Sequence, residues 1–318
     1  MNETKNLVDK ITSNIEKVII GKKDEIMLVL AAFLAGGHVL LEDVPGTGKT
    51  MLARALAKSF DLSFSRIQFT PDLLPSELTG INFYSPKSGE FTFRKGSLFA
   101  NIVLADEINR ATPRTQSGLL ESMEEYQISV DGTTYPLERP YFVIATQNPI
   151  ETQGTFPLPE AQLDRFLIQL NLGYPATAQS VQAVKNNVTS APLASLTSVS
   201  GINDFEKIIA GVARVFIHDE VYGYIVELTE ATREHSSIQL GISTRGAISL
   251  AKISRVYALL NGREFVTPAD IQFLLPYVFS HRIMLRGGMH GRSSKIQLVL
   301  EEIISSIKVP AEDWKGRS

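Results

Sequence analysis

Residues 38–50 read HVLLEDVPGTGKT, and this stretch decides the fold. A short apolar run, HVLLE, meets a loop of Pro, Gly, Thr and Gly and closes on Lys49 and Thr50. MLARALAKSF (51–60) then returns to helical spacing. Strand, loop and helix in that order begin an α/β unit. Glycines let backbone N–H groups converge on an anion, and the start of the following helix favours negative charge. In such a loop Lys49 would reach the β- and γ-phosphates of a nucleotide, and the Thr50 hydroxyl would sit on Mg²⁺. The strict pattern wants Gly at position 43, where this chain has Asp43.

Outward from this loop the pattern repeats. Residues 22–35 carry Ile26, Val29, Leu30, Phe33 and Leu34 at helical spacing, and Gly36-Gly37 stops the helix. SFSRIQF (63–69), NIVLADE (101–107), YFVIATQN (141–148) and FLIQLNL (166–172) read as further strands, several of them nearly continuous apolar runs. Buried strands alternating with helices predict a mainly parallel sheet covered on both sides. Two hairpin-like insertions interrupt it. INFYSPKSGEFTFRKG (81–96) turns at Lys87-Ser88-Gly89, and QISVDGTTYPL (127–137) turns at Asp131-Gly132.

After Pro175 the chain becomes small and polar and reads as a helix plus linker. From 203 onward it reads as all-helical. Phe205, Ile208, Ile209 and Val212 form one stripe, and Val221, Tyr224, Ile225 and Leu228 form another. Thr267-Pro268-Ala269-Asp270 is a helix start with a hydroxyl cap, proline at the first position and an acid in the first turn. The expected division is 1–174 for the α/β part and 175–318 for linker and helices, in keeping with 318 residues.

Composition narrows the function. Apolar residues are 44% and charged residues 20% of the chain, as in an ordinary globular protein. The formal net charge of −3 counts against a constitutive nucleic-acid binder. With no cysteine, disulfides and thiolate metal sites are excluded, and the five histidines are scattered singly. No signal peptide opens the sequence, and the apolar stretch from Ile26 to Leu41 is too short and too broken to span a membrane. A cytoplasmic protein is expected, in which the N-x-S/T triplets at Asn2 and Asn187 carry no glycan.

Four further stretches carry chemistry. IVLADE ends an apolar strand in Asp106 and Glu107, at the strand tip where parallel sheets bind ligands. Asp106 would serve the metal shell, and Glu107 would orient or deprotonate an attacking water. ATQN places Asn148 at another strand end, where an uncharged amide can both donate and accept. EAQLDRF offers Arg165, which on its own reads more readily as a surface ion pair with Asp164 or Glu160. GISTRGAISL puts Arg245 at a helix start, where the helix dipole opposes it unless an anion is near.

The order of these parts resembles the AAA+ ATPases, and within them the MoxR family. EDVPGTGKT, QFTPDLLPSELTG, LADEINRATPRTQSGLLESMEE and ATQNPIETQGTFPLPEAQLDRF follow in series, and GISTRGAISL with the helical tail is similar to the family's lid. The resemblance covers nearly the whole chain, and Ser97 departs from it where many relatives carry proline. It implies ATP and Mg²⁺ as cofactors, with Walker A residues Pro45, Gly46, Thr47, Gly48, Lys49, Thr50 and Met51. It implies Walker B residues Asp106 and Glu107, sensor 1 at Asn148, an arginine finger at Arg165 and sensor 2 at Arg245. Thr50 and Asp106 would be the metal ligands, and Ile19 and Ile20 in VIIG (18–21) would pack on adenine. It implies a homo-oligomeric ring, a hexamer, acting as a chaperone-like remodeller with a separate von Willebrand factor A domain protein as partner. An alternative is a helicase-like nucleic-acid motor, for which Lys87, Arg94 and Lys95 in the first insertion are the local hint. A further one is an ATP-gated scaffold that does not hydrolyse. The acid pair, Asn148 and both arginines speak against it.

Overall fold

The strands of the first half are β1 (Val39–Glu42), β2 (Phe64–Gln68), β3 (Gly80–Ser85), β4 (Glu90–Lys95), β5 (Ile102–Asp106), β6 (Gln127–Val130), β7 (Thr133–Pro136), β8 (Phe142–Gln147) and β9 (Ile168–Leu170). They come from a computed structural model that describes residues 2–87, 89–148, 154–189, 191–287 and 292–311. Strands β2-β5-β8-β1-β9 form one sheet in that order, and every neighbouring pair is parallel. The five strands expected from apolar runs are the five strands of this sheet. Both expected insertions are antiparallel hairpins, β3-β4 and β6-β7, outside the sheet. Ser88 of the first turn lies outside the described residues, as do residues 149–153 of the ATQNPIETQ stretch.

Successive side chains of a strand point to opposite faces, and here both faces are dry. Val39 and Leu41 of β1, Ile102 and Leu104 of β5, and Phe142 and Ile144 of β8 enter one core. Leu40, Val103, Ala105, Val143 and Ala145 enter the other. The first face is covered by α1 (Asn2–Glu16), α2 (Lys23–Leu34) and α3 (Lys49–Ser59), and its core runs on into the second half of the chain. Phe33 of α2 joins the parts. Its ring lies 5.2 Å from Phe60, 5.2 Å from Phe142 and 5.1 Å from Phe205. The second face is covered chiefly by α5 (Pro113–Glu125) through Leu119, Leu120 and Met123, with the short α4 (Pro75–Thr79) beside it.

Beyond α6 (Glu160–Leu163) and β9 come α7 (Thr177–Thr189), α8 (Pro192–Ser195), α9 (Ile202–Ala213) and α10 (Asp219–Glu234). Then follow α11 (Thr244–Leu260), α12 (Pro268–Phe279) and α13 (Arg292–Ser306). The start of α12 is built as its sequence implies. Thr267 Oγ1 accepts from Asp270 N at 3.3 Å, and the Asp270 carboxylate accepts from Thr267 N at 2.8 Å. Arg263 closes the site with Nη1 at 2.6 Å from the same carboxylate. Two features depart from the sequence reading. The second half is not wholly helical, because β10 (Ile238–Leu240) and β11 (Met284–Leu285) pair antiparallel and tie the α10–α11 loop to the chain after α12. Helix α1, unmarked above, hides its apolar stripe of Val8, Ile11 and Ile15 between charged residues.

His38, just before β1, is buried and fully bonded. Val143 N donates to its Nδ1 at 3.0 Å, so Nε2 carries the proton and donates to Met123 O at 2.9 Å. Burial pushes its pKa down from 6.5 to about 4. Between those values the unfolded chain takes up a proton that the folded chain refuses, so stability falls as pH falls. The loss from this residue is about 3 kcal/mol between pH 7 and pH 4. Equilibrium unfolding of the wild type and His38→Gln across this range should show that component in the wild type only.

Candidate functional site

The phosphate-type loop lies between β1 and α3, at the C-terminal edge of the sheet. Gly46 and Gly48 take φ values of 87° and 95°, a region that side chains disfavour. Gly48 is the N-cap of α3 and brings no side-chain cap bond. The first amides of a helix have no partner within it, so these face the loop as an anion cradle. Lys49 is folded over the loop, with Nζ donating to Asp43 O at 2.9 Å and to Val44 O at 3.3 Å. Thr47 Oγ1 donates to Val44 O at 3.4 Å.

Asp43, the departure from the strict pattern, has a structural task. Its buried carboxylate accepts three backbone N–H bonds. Oδ1 accepts from Val44 N at 3.0 Å, and Oδ2 accepts from Leu172 N at 2.9 Å and Gly173 N at 3.0 Å. The carboxylate therefore fastens the start of the loop to the segment that leaves β9 for the second half of the chain.

Asp106 ends β5, and Glu107 follows it in the left-handed region at φ 57°. Thr146 on the neighbouring β8 serves both. Its hydroxyl donates to Asp106 Oδ1 at 2.7 Å and accepts from Glu107 N at 2.8 Å. Arg66 Nη2 lies 2.7 Å from Asp106 Oδ2. Glu107 Oε2 accepts from Gln68 Nε2 at 2.8 Å and pairs with Arg110 Nε at 3.2 Å. Asn148, at the end of β8, is buried and opens on the same space.

That space is a cleft of about 420 Å³. Lys49, Thr50, Asp106, Glu107 and Asn148 line it together, as do Pro45, Gly46, Gly48 and Met51. Of the loop positions singled out in the sequence only Thr47 is absent from the lining. Arg66, Gln68 and Thr146 line it too and were not foreseen. Thr146 had a signal, a hydroxyl set in the otherwise apolar run FVIA of β8. Arg66 and Gln68 had none, because only the strand order brings β2 beside the acids. Ile19 is buried against the loop, its Cδ1 3.7 Å from where a Cβ on Gly48 would stand. Ile20 is half-buried, and neither isoleucine belongs to the cleft lining.

Arg165 and Arg245 lie elsewhere. Arg165 precedes β9, and Leu167, just before that strand, donates its N–H to His38 O at 2.8 Å, so Arg165 stands at the N-terminal edge of the sheet. The loop and this edge are separated by the length of β1, roughly 13 Å at about 3.3 Å per residue. Arg245 is at the same edge. Arg165 Nε lies 3.1 Å from Glu124 Oε2, and Arg245 Nη2 lies 3.0 Å from Glu124 Oε1. Arg282, also unforeseen, is buried and braces this corner. Its Nε donates to Asp164 Oδ1 at 2.6 Å and its Nη2 to Phe166 O at 2.7 Å.

A family profile described as ATPase family associated with various cellular activities (AAA) matches residues 38–168, and one described as AAA lid domain matches residues 230–303. Chaperone MoxR1 of Mycobacterium tuberculosis is 35% identical over 93% of this chain and 80% of its own length. The chain belongs to the MoxR family of AAA+ ATPases. Another MoxR relative, protein MoxR of Paracoccus denitrificans, is 30% identical over 92% of this chain and 94% of its own. The uncharacterised protein YeaC of Bacillus subtilis is 50% identical over 96% of both chains. The crystal structure of an ATPase candidate from Cytophaga hutchinsonii superposes with a TM-score of 0.89 at 37% identity, covering 98% of this chain and 97% of that one. Membership of the MoxR family makes the chain an ATPase with nucleotide as its ligand. Among the described residues no helix is long and apolar enough to cross a membrane.

The shared hydroxyl gives a sharp test. Thr146→Val keeps shape but removes the link between Asp106 and Glu107. ATP turnover should fall about 10- to 100-fold, the scale of a small misplacement of reacting groups, while nucleotide affinity changes little. Steady-state kinetics beside equilibrium binding of a fluorescent ATP analogue checks both halves of that outcome.

Proposed function

We propose that this MoxR protein hydrolyses ATP with Mg²⁺ at sites completed between subunits of a ring, a hexamer, and uses the cycle to remodel a protein client. One observation carries the reading. The groups for one reaction stand at opposite edges of a single sheet, with the phosphate loop and acids at one and Arg165 with Arg245 at the other. A chain cannot fold its own β1 end to end, so the arginines serve the phosphates of a neighbour.

The division of labour follows. The loop amides and Lys49 bind the β- and γ-phosphates, Lys49 leaving the carbonyls of Asp43 and Val44 to do so. Ile19 and Ile20 flank the adenine side. Among the described residues no cluster of three or more His or acidic side chains could hold a metal alone. Thr50 and Asp106 supply one hydroxyl and one carboxylate to the cleft, a donor set that fits Mg²⁺ once phosphate oxygens join it. Bound there, Mg²⁺ would neutralise charge on the β- and γ-phosphates. Asn148 and Glu107 position a water, and Glu107 takes its proton as the water oxygen bonds to the γ-phosphorus. The bond to the β–γ bridging oxygen breaks, releasing ADP and phosphate. Glu107 must first turn from Gln68 and Arg110. An arginine supplied by a neighbour is worth roughly 10³–10⁵ in rate.

The remodelling role draws on a relative named as a chaperone. The projecting hairpins suit contact with a client. Asn82 bonds Asp131 at 2.9 Å, the rings of Phe93 and Tyr135 stack at 3.9 Å, and Tyr84 and Phe91 are exposed on the first hairpin. The chain divides into 1–174 and 175–318, and a separate von Willebrand factor A domain protein is the expected partner. A nucleic-acid motor gains nothing from the named relatives, and the net charge of −3 opposes it.

Mixing inactive variants tests the shared site. Glu107→Gln should bind ATP and barely hydrolyse it, and Arg165→Ala should be nearly inactive. Mixed rings contain some interfaces with both residues intact, so the mixture should regain activity, and wild-type turnover per subunit should rise with protein concentration and saturate. No regain in variants shown by mass analysis to co-assemble would leave a site made within one chain.

A further inference from the structure

The two arginines do not stand alone at their edge. Each takes one oxygen of the same carboxylate, Arg165 on Glu124 Oε2 and Arg245 on Glu124 Oε1. They come from different parts of the chain. Arg165 lies within the segment matched by the AAA profile, and Arg245 within the segment matched by the lid profile. Glu124 is therefore the side chain through which these two residues are placed relative to each other.

Its own footing is rigid. Glu124 lies in the last turn of α5, and the residues around it are pinned to the sheet edge. Ser122 Oγ pairs with Tyr141 Oη at 2.9 Å, Met123 O accepts from His38 at 2.9 Å, and Tyr126 Oη donates to Gly36 O at 2.8 Å. The backbone is anchored although the carboxylate itself is about one-third exposed. Two guanidinium groups this close repel unless an anion stands between them. Arg245 is further disfavoured by the dipole at the start of α11, and Glu124 offsets that. One carboxylate with two arginines leaves a net charge of +1, so the trio still attracts an anion.

We infer that Glu124 is a positioning residue for hydrolysis in the neighbouring subunit, gripping Arg165 and Arg245 as a pair aimed at one γ-phosphate. This inference rests on the shared-site reading above. Without Glu124 the pair splays apart, and the adjacent subunit loses its stabilisation of transition-state charge. The phosphate loop, at the other edge of the sheet, is untouched.

The experiment uses the full chain with Glu124→Gln, a change at an exposed side chain that should leave thermal unfolding unaltered. Turnover should fall about 10- to 100-fold, the cost of displacing a positioned group by about 1 Å, with KM for ATP unchanged. Mixing decides which edge is damaged. Glu124→Gln with Glu107→Gln should regain activity, because one variant keeps a sound ATP cleft and the other a sound arginine edge. Glu124→Gln with Arg165→Ala should regain none, because both are damaged at the same edge. Unchanged turnover, a KM that rises with the loss, or regain with Arg165→Ala would each overturn the role. The Arg165→Ala and Glu107→Gln mixture separates the two readings. Regain there beside normal Glu124→Gln turnover sinks Glu124 alone, and no regain removes the shared site and Glu124's role together.

Discussion

In a parallel sheet every strand points the same way, so its two edges cannot be chemically alike. One edge collects strand C-termini, where loops open towards helix N-termini and anions are welcome. In this protein that edge holds the glycine loop, Asp106, Glu107 and Asn148. The other collects the residues that enter strands, and there the chain sets Arg165 beside Arg245. The polarity of β1, β5, β8 and β9 thus decides at which edge each of these groups stands. In the proposed ring, assembly is the means by which the two edges meet.

The sheet is held rigid enough for this by packing rather than by polar contacts. Both faces are apolar and covered, one by α1, α2 and α3 with the second half of the chain, the other by α5. Some of the polar groups that enter that interior are bonded to the elements they join. His38 binds β8 to α5, and Thr146 binds the two acids across β5 and β8. Such groups are costly to bury unsatisfied, so each fixes the register of what it touches.

What could be read in the sequence was what depends on local pattern. Apolar runs marked the five sheet strands, and alternation with turn residues marked both hairpins. Thr267-Pro268-Ala269-Asp270 marked the start of α12. The cleft residues near Lys49 and Asp106 were legible because a loop and a strand end each declare themselves within a few positions. What stayed hidden depends on long-range placement. Arg66 meets Asp106 through strand order, Arg282 meets Asp164 across 118 positions, and Glu124 meets both arginines across long stretches of the chain. The β10–β11 ladder was missed because two- and three-residue strands carry no period to detect. Asp43 looked like a blemish in a motif, and only the fold shows the amides of Leu172 and Gly173 waiting for it.

That aspartate makes the loop and the departing connector one mechanical part. Gly173 and the chain beyond it lead to everything after position 174, and Lys22 from the start of α2 also reaches Tyr174 O at 3.4 Å. Linkage then works in both directions with equal strength. If filling the loop shifts the balance between two orientations of the helical half, then any partner that holds that half in one orientation must alter the affinity for nucleotide by the same factor. A client pulling on the helices would be felt at the phosphates, and the ring could take its cue from its load.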